Sequence, residues 1–434
     1  MLGGGTFTTQ NKVLPGSYIN FVSAARASAT LSDRGVVALP IALDWGAQQQ
    51  VFTVTQEDFQ KNSMKVLGYE YSAPELLAFR EIFRNANKVH VFNINSSGST
   101  SGGGRASATL ATAKHPGKRG NDLKYVVAKN VDETNLFDVY LYMGTVKVDS
   151  QTVASAADLV DNDFVTWQKD ATLEVTAGTS LQNGVSGTFS NASYQTALDA
   201  FEAYNFNVLV FPSSSDGSSC SLFIEYTKRM RDQVGVKFQL VEALGFAADH
   251  EGVVSVNSET PEIVYWTAGA LAGCAVNKSC TNKKYDGELE VTCNYTQTQL
   301  ETFIKQGLFT FHKVEDEVRV LTDINSFVSF TDEKGEVFSS NQVVRVIDQC
   351  ANDTARIFNS KYLGKVQNDK SGRVSFWNDI VSHRRQLETI RAIEDYNADE
   401  LTVEQGDAKN SVVVRESLVP TSSMEKLYMT CVIE

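Results

Sequence analysis

The sequence is poor in the features that most chemistries depend on. It has no basic excess: 39 Lys+Arg stand against 52 Asp+Glu, a net charge of −13. A broad nucleic-acid footprint needs a basic surplus or a strong basic stripe, so the balance argues against nucleic acid as a partner. The same charge makes copies repel one another, so any assembly must be held by specific contacts. Met1 to Lys12 contains neither a basic n-region nor an apolar h-region, and no signal peptide is expected. The longest uncharged, apolar-leaning run, Ile263 to Val276, has fourteen residues. A membrane span needs roughly 20, so this run reads as a buried helix and no membrane partner is expected. The six cysteines (Cys220, Cys274, Cys280, Cys293, Cys350, Cys431) form no C-x-x-C, and no histidine pair has zinc-finger spacing. No metal site is expected. Cys350 falls on an apolar helical stripe and reads as a small core residue, and without an export signal reduced cytosolic thiols are the expectation.

Catalytic and cofactor motifs are missing as well. Gly117-Lys118 and Gly364-Lys365 lack the upstream glycine and the following Ser or Thr of a phosphate-binding loop. Gly102-Gly103-Gly104 opens no helix and reads as linker. Gly184-Val185-Ser186-Gly187-Thr188 resembles a nucleophile elbow but ends in Thr within a β-rich stretch, where a turn is the better reading. H-E-x-x-H is absent, and no cofactor is expected. The one cluster that invites a catalytic reading is Asp249-His250-Glu251, after a predicted strand. An imidazole between carboxylates would have a raised pKa and could act as a base, which gives an alternative of another class, an α/β hydrolase using His250. Adjacent residues in an extended segment point in different directions, however, and no Ser or Cys nucleophile is identifiable, so a structural turn is favoured.

What is present is alternating structure. A length of 434 residues, 42% hydrophobic and 21% charged, suits about three ordinary domains. Residues 1–28 read as an extended N-terminal arm, with Tyr18, Ile19 and Phe21 on a strand-like segment behind Pro15-Gly16. Residues 29–95 read as the first part of an α/β domain, with a capping box at Ser72-Ala73-Pro74-Glu75, a helix through Leu76, Phe79 and Phe83, and a strand from Val89 to Ile94. A Ser/Gly linker at 96–104 opens an inserted β-sandwich, residues 96–190, with short strands at Tyr125–Val127, Val139–Met143, Val146–Val148 and Leu173–Val175. The α/β grammar returns over 191–340. Its helical face Tyr194, Leu198, Phe201 is followed by a pattern of Phe223, Met230 and Val234 that stops at Gly235, and its helix after Thr260-Pro261-Glu262 is rich in Gly and Ala, so that another element can approach closely. Residues 341–434 form the last domain. A helix carries Val343, Ile347, Cys350, Thr354 and Ile357. An amphipathic stretch from Ile380 to Tyr396 sets Leu387, Ile390 and Ile393 opposite Arg384, Arg385 and Arg391. The chain closes on β-like segments, the last with Leu427, Met429, Cys431 and Ile433 on one face.

Several runs, in order, resemble contractile phage tail sheath proteins of the myophage type, also found in phage-derived bacteriocins: Pro15-Gly16-Ser17-Tyr18-Ile19-Asn20-Phe21, Asp249-His250-Glu251-Gly252-Val253-Val254, Tyr265-Trp266-Thr267-Ala268-Gly269-Ala270, Val318-Arg319-Val320-Leu321-Thr322-Asp323 and Met424-Glu425-Lys426-Leu427-Tyr428-Met429. The resemblance implies a multidomain α/β fold: a subtilisin-like α/β domain without protease activity, an inserted β-sandwich, a C-terminal α+β domain and extended terminal arms. It also implies a structural, non-enzymatic subunit that polymerises as stacked six-fold rings around a tail tube. The implied partners are the chain itself, the tail tube protein, and baseplate and tail terminator proteins. Tyr18, Ile19, Phe21, Leu427, Met429, Cys431 and Ile433 would be arm residues between subunits, and Arg384, Arg385 and Arg391 would contact the tube. Phage tail and bacteriocin particle remain open alternatives, with assembly expected in a bacterial host cytoplasm.

Overall fold

The computed structural model describes residues 31–95, 104–212, 217–243, 245–246 and 248–433. The arm residues Tyr18, Ile19 and Phe21 and most of the 96–104 linker lie outside the described residues. The chain divides into two compact units: one gathers Asp33–Gln349 with the stretch from Pro420 onward, the other is built on Cys350–Val419.

The larger unit opens with β1 (Val36–Ile41), β2 (Val51–Thr55), α1 (Gln56–Leu67), α2 (Leu77–Phe83) and β3 (Lys88–Asn93). A β module follows, with β4 (Ala111–Ala113), β5 (Leu123–Lys129), β6 (Phe137–Met143), β7 (Val146–Val153), β8 (Val165–Trp167) and β9 (Thr176–Ser180). The unit continues through α3 (Asn191–Phe201), β10 (Val208–Val210), α4 (Gly217–Lys228), β11 (Gln239–Glu242), β12 (Val253–Asn257), α5 (Ile263–Gly273), α6 (Gln297–Lys305), β13 (Leu308–Val314), β14 (Glu317–Val320) and the first half of α7 (Asn341–Ile357).

Strands from both sides of the module join one eight-stranded sheet, ordered β14-β13-β12-β11-β10-β1-β3-β2. It is parallel from β3 to β13, with antiparallel partners β2 and β14 at its edges. The strands obey the period of two. Val37, Leu39, Val208, Val210, Val254 and Val256 pack with α2 and α5 on one face, and Ala38, Leu209, Leu240 and Val253 pack with α3 and α4 on the other. Burial on both faces explains why these strands read as unbroken apolar runs. In α5 every residue from Ile263 to Ala272 is buried. A Cβ on Gly269 would land on the Ile82 carbonyl, and one on Gly273 on the Asn85 carbonyl, so the small residues permit α5 to lie directly against the end of α2.

The module's sheet β7-β6-β5-β9 and the pair β4-β8 enclose a separate core that includes Leu123, Tyr125, Leu141, Val165 and Trp167. Three sequence expectations are corrected in this unit. Leu173–Val175 is not a strand: Leu173 tucks inward, Val175 is exposed, and the strand begins at Thr176. The Ser72 capping box does not form; Ala73 precedes a short 3-10 turn that leads into α2. After α4 the chain widens into a π turn, Arg229–Val234, which turns Val234 outward before Gly235 ends the helix in the left-handed conformation (φ 88°).

The smaller unit contains the rest of α7, then α8 (Lys370–Thr389), β15 (Ile393–Glu394), β16 (Thr402–Gln405) and β17 (Val412–Arg415). The antiparallel β16–β17 hairpin and α8 share a small core of Ile357, Phe376, Ile380 and Leu401. The amphipathic stretch expected to reach Tyr396 stops at Thr389, because the chain turns at Arg391 (φ 60°) into β15. Among the described residues no helix is long and apolar enough to cross a membrane.

Candidate functional site

Three polar clusters and one exposed segment hold the residues singled out from the sequence. The first is Asp249-His250-Glu251. It lies immediately before β12, and Leu240 of β11 pairs with Val253, so the trio sits at the N-terminal end of these parallel strands. Sites in open α/β sheets form at the opposite, C-terminal ends. The three side chains diverge. Asp249, in the left-handed conformation (φ 47°), turns to accept the N–H groups of Val328 (2.8 Å) and Ser329 (3.0 Å). Glu251 binds Lys334 with both oxygens (3.1 Å each) and lies 3.9 Å from Arg231. Burial opposes its ionisation, but His250, Arg231 and Lys334 together hold the carboxyl below the usual range.

His250 is locked in one tautomer. The Gly252 N–H donates to its Nδ1 (3.0 Å), so Nδ1 accepts and Nε2 carries the proton, which points to Asp232 at 3.1 Å. Burial lowers the imidazole pKa and outweighs Glu251 and Asp232, the reverse of the expected rise. The nearby Ser326 hydroxyl donates to the His250 carbonyl (3.1 Å) and accepts from its N–H; it bonds the backbone and not the ring. A hydrolase using His250 is therefore corrected: the basic lone pair is occupied and, among the described residues, no nucleophile bonds the ring. Asp232, His250 and Glu251 bring three donor atoms within 4.8 Å, a spacing open to a metal ion. They do not suit one. A ligating Nε2 needs its proton moved to Nδ1, which would then face the Gly252 donor, and Glu251 already neutralises two cations.

Beside this trio a buried polar lock joins the sheet to α7. Arg231 makes a two-pronged pair with Asp348 (2.7 and 2.8 Å) and donates to the Phe238 carbonyl (2.6 Å). Gln239 of β11 donates to Asn341 (2.7 Å), Asn341 donates to Asp323 (3.0 Å), and Asp323 pairs with Arg345 (3.2 Å), all buried. Sequence reasoning missed this lock. Its one signal is a row of polar residues at helical spacing along α7, Asn341, Gln342, Arg345, Asp348 and Gln349, on the side of the helix away from Val343, Ile347 and Cys350.

In the smaller unit, Arg384 is only 2% exposed, which corrects its reading as part of a solvated helix face. Its guanidinium grips Glu416 (2.6 and 3.0 Å) and Thr354 (3.0 Å), and donates to Nδ1 of His383 (2.7 Å). His383 in turn hydrogen-bonds Asp353 at 2.8 Å. A side chain held this way is not available to a tube. Arg385 and Arg391 are exposed; Arg385 pairs with Glu388 at 3.0 Å.

The C-terminal segment belongs to the larger unit. Its root is pinned: Ser423 donates to Gln342 through both N–H (3.0 Å) and hydroxyl (2.8 Å), and Glu425 accepts from Thr281 (2.6 Å) and Thr322 (3.2 Å). Beyond the root no described residue covers it. Leu427 is 85% exposed, Met429 75% and Ile433 94%, Cys431 is exposed too, and the expected strand pairs with nothing among the described residues.

The chain matches four family profiles in sequence order: the tail sheath protein Gp18 domain III N-terminal region over 34–94, the phage tail sheath protein beta-sandwich domain over 101–186, the phage tail sheath protein central domain over 187–326, and the phage tail sheath C-terminal domain over 333–434. It is 31% identical to the XkdK protein of the phage-like element PBSX of Bacillus subtilis (strain 168), across 98% of this chain and 99% of that one. The structure is similar to the crystal structures of two sheath tail proteins. The one from Desulfitobacterium hafniense has a TM-score of 0.80 and 32% identity, covering 95% of this chain and 99% of that one. The one from Listeria innocua has a TM-score of 0.79 and 29% identity, covering 93% and 96%.

Proposed function

The chain belongs to the phage tail sheath protein family, and on that premise we propose that it polymerises as stacked six-fold rings around a tail tube and contracts to drive the tube through a target cell envelope. The family is a structural component of phage tails or phage-like particles, and the clusters described above offer no nucleophile and no free base. Energy for contraction would come from two lattices of different packing, not from nucleotide hydrolysis. The larger sheet is read as subtilisin-like without protease activity, a reading supported by the central place of β1 between β3 and β10.

The observation that carries this reading is the C-terminal segment. An apolar strand with open backbone groups is marginal alone and gains by adding to a neighbour's sheet edge. Leu427, Met429, Cys431 and Ile433 would be the donated face, and Tyr18, Ile19 and Phe21 would serve the same role at the other end. The pins at Ser423 and Glu425 fix where the arm leaves its own subunit. Arg385 and Arg391 remain proposed tube contacts; Arg384, buried against Glu416, is not one. Baseplate and tail terminator proteins would bound the polymer, assembled in the host cytoplasm. A phage-derived bacteriocin particle is the second form the same reading takes. Negative-stain microscopy of the purified protein tests it: rods with six-fold end views are expected, and a permanently monodisperse monomer, with or without tube protein, would contradict it.

A further inference from the structure

We propose that the groove beneath the root of the C-terminal segment is an interface between copies of this chain, covered by the body of a second copy when that copy's sheet takes up the arm. The proposal rests on the reading of residues 427–433 as an inter-subunit arm. The groove has a volume of about 850 Å³, within the range of pockets that seat a ligand or an anchoring side chain. Half-buried Leu321, just past β14, and buried Phe327 line it. So do Ile304, in the last turn of α6, and Val328, Phe330 and Val337, and these four are exposed. Single exposed apolar side chains are ordinary on a protein surface; four around one depression mark a binding surface.

These side chains stand on a fixed frame. Asp249 accepts the N–H groups of Val328 (2.8 Å) and Ser329 (3.0 Å). Asn325 accepts the Phe327 N–H (3.0 Å) and donates to the Phe338 carbonyl (2.9 Å), which ties the loop to the 3-10 turn Glu336–Ser339 that carries Val337. The Phe330 ring meets buried Phe327 edge-on, with ring centres 5.6 Å apart. Holding apolar groups in water on a rigid frame gives the free subunit no stability. A partner that buries them loses little to ordering, because they are ordered already. An aromatic side chain presented in this way has the character of an interface anchor.

The position of the arm identifies the occupant. Ser423, Glu425 and Lys426 form one wall of the groove, so the arm leaves its subunit at the groove's rim. Residues 427–433, fully extended, reach roughly 24 Å. That is less than the ~30 Å diameter of a small domain. A neighbour whose sheet edge pairs with so short an arm has its body against the place where the arm starts, and the groove is the apolar surface at that place. The rim carries both signs, Lys305 and Lys426 with Glu336 and Glu425. Mixed charge suits the mixed surface of another copy and not a ligand or polymer of one sign.

The test compares free wild-type subunits with wild-type rods by hydroxyl-radical footprinting and mass spectrometry, which needs no substitution. Oxidation of Phe330 and Val337 should fall several-fold in the rods. The double variant Val328→Asp with Phe330→Asp, its arm intact, should keep the wild-type melt, since both side chains face water in the free subunit. It should raise the protein concentration at which rods pellet by roughly tenfold or more, because assembly would bury unpaired carboxylates. Rods in which the arm peptide is protected and Phe330 is not, or a folded double variant that pellets at the wild-type concentration, would overturn the groove and leave the arm reading standing. Phe330 protected in free subunits and uncovered by deleting 427–434 would make the chain's own arm the occupant. Phe330 protected by tube protein in unpolymerised subunits would make the tube the occupant; either result overturns the proposal. Wild type that never forms rods would sink the arm reading itself, and the groove's role with it.

Discussion

Replacing Asp348 with alanine strips the main partner from Arg231, which is buried to 3% exposure. The lost contacts are two charge-assisted hydrogen bonds of 2.7 and 2.8 Å. Burial disfavours the guanidinium cation, and Asp348 is the largest of the charges that offset this. Breaking a buried pair by removing one partner costs ~3–5 kcal/mol. The lower end applies here, since Arg231 keeps the Phe238 carbonyl and Glu251 at 3.9 Å. A loss of about 3 kcal/mol should lower the melting temperature of the larger unit by roughly 4 °C. The double variant Arg231→Met with Asp348→Leu removes both charges, and should recover to within about 1 kcal/mol of wild type. Thermal melts followed by circular dichroism, with urea titrations for the free energies, measure both. If Asp348→Ala melts within about 2 °C of wild type, the lock does not hold α7. If the double variant is as unstable as the single one, packing rather than unpaired charge is responsible.

Gly273→Ala should cost about 2 kcal/mol or more in urea unfolding, since its Cβ meets the Asn85 carbonyl, which cannot swing away as a side chain could; a change under about 0.5 kcal/mol would refute the close approach of α5. His115, against Trp45, is lowered to about 4 by burial, so the unfolded chain takes up the proton first and stability falls as pH drops from about 6.5 toward 4. His115→Phe should flatten that part of the pH–stability curve, and an unchanged slope would count against it. Arg384→Glu should abolish cooperative melting of the smaller unit by setting a second carboxylate against Glu416, while Arg385→Glu should leave the melt intact and weaken cosedimentation with tubes, more so at low salt. A folded Arg384→Glu protein would refute the buried network, and undiminished tube binding by Arg385→Glu would remove the tube contact there.

Local pattern made much of the fold legible. The strand read at Val89–Ile94, the helical face Tyr194–Leu198–Phe201 and the small-residue run in α5 each reflect contacts that local pattern encodes. The polar sites were not legible, because their partners are distant in sequence. Arg231 and Asp348 are 117 positions apart, and Arg384 and Glu416 are 32 apart. A charge on a helix reads as solvent-facing until its partner is placed, and Arg384, 2% exposed, departs from that pattern. His250 departs for a related reason: Asp232 and the Gly252 N–H fix its tautomer, and neither is recognisable as a partner from spacing.

The central claim is that the exposed C-terminal arm joins subunits. Because Ser423 and Glu425 anchor the root to its own subunit, the cut belongs after Lys426. The direct measurement is negative-stain microscopy of the 427–434 deletion beside wild type, with a thermal melt of each. The account predicts an unchanged cooperative melt and no rods from the deletion. Normal rods from a protein lacking those residues would contradict it.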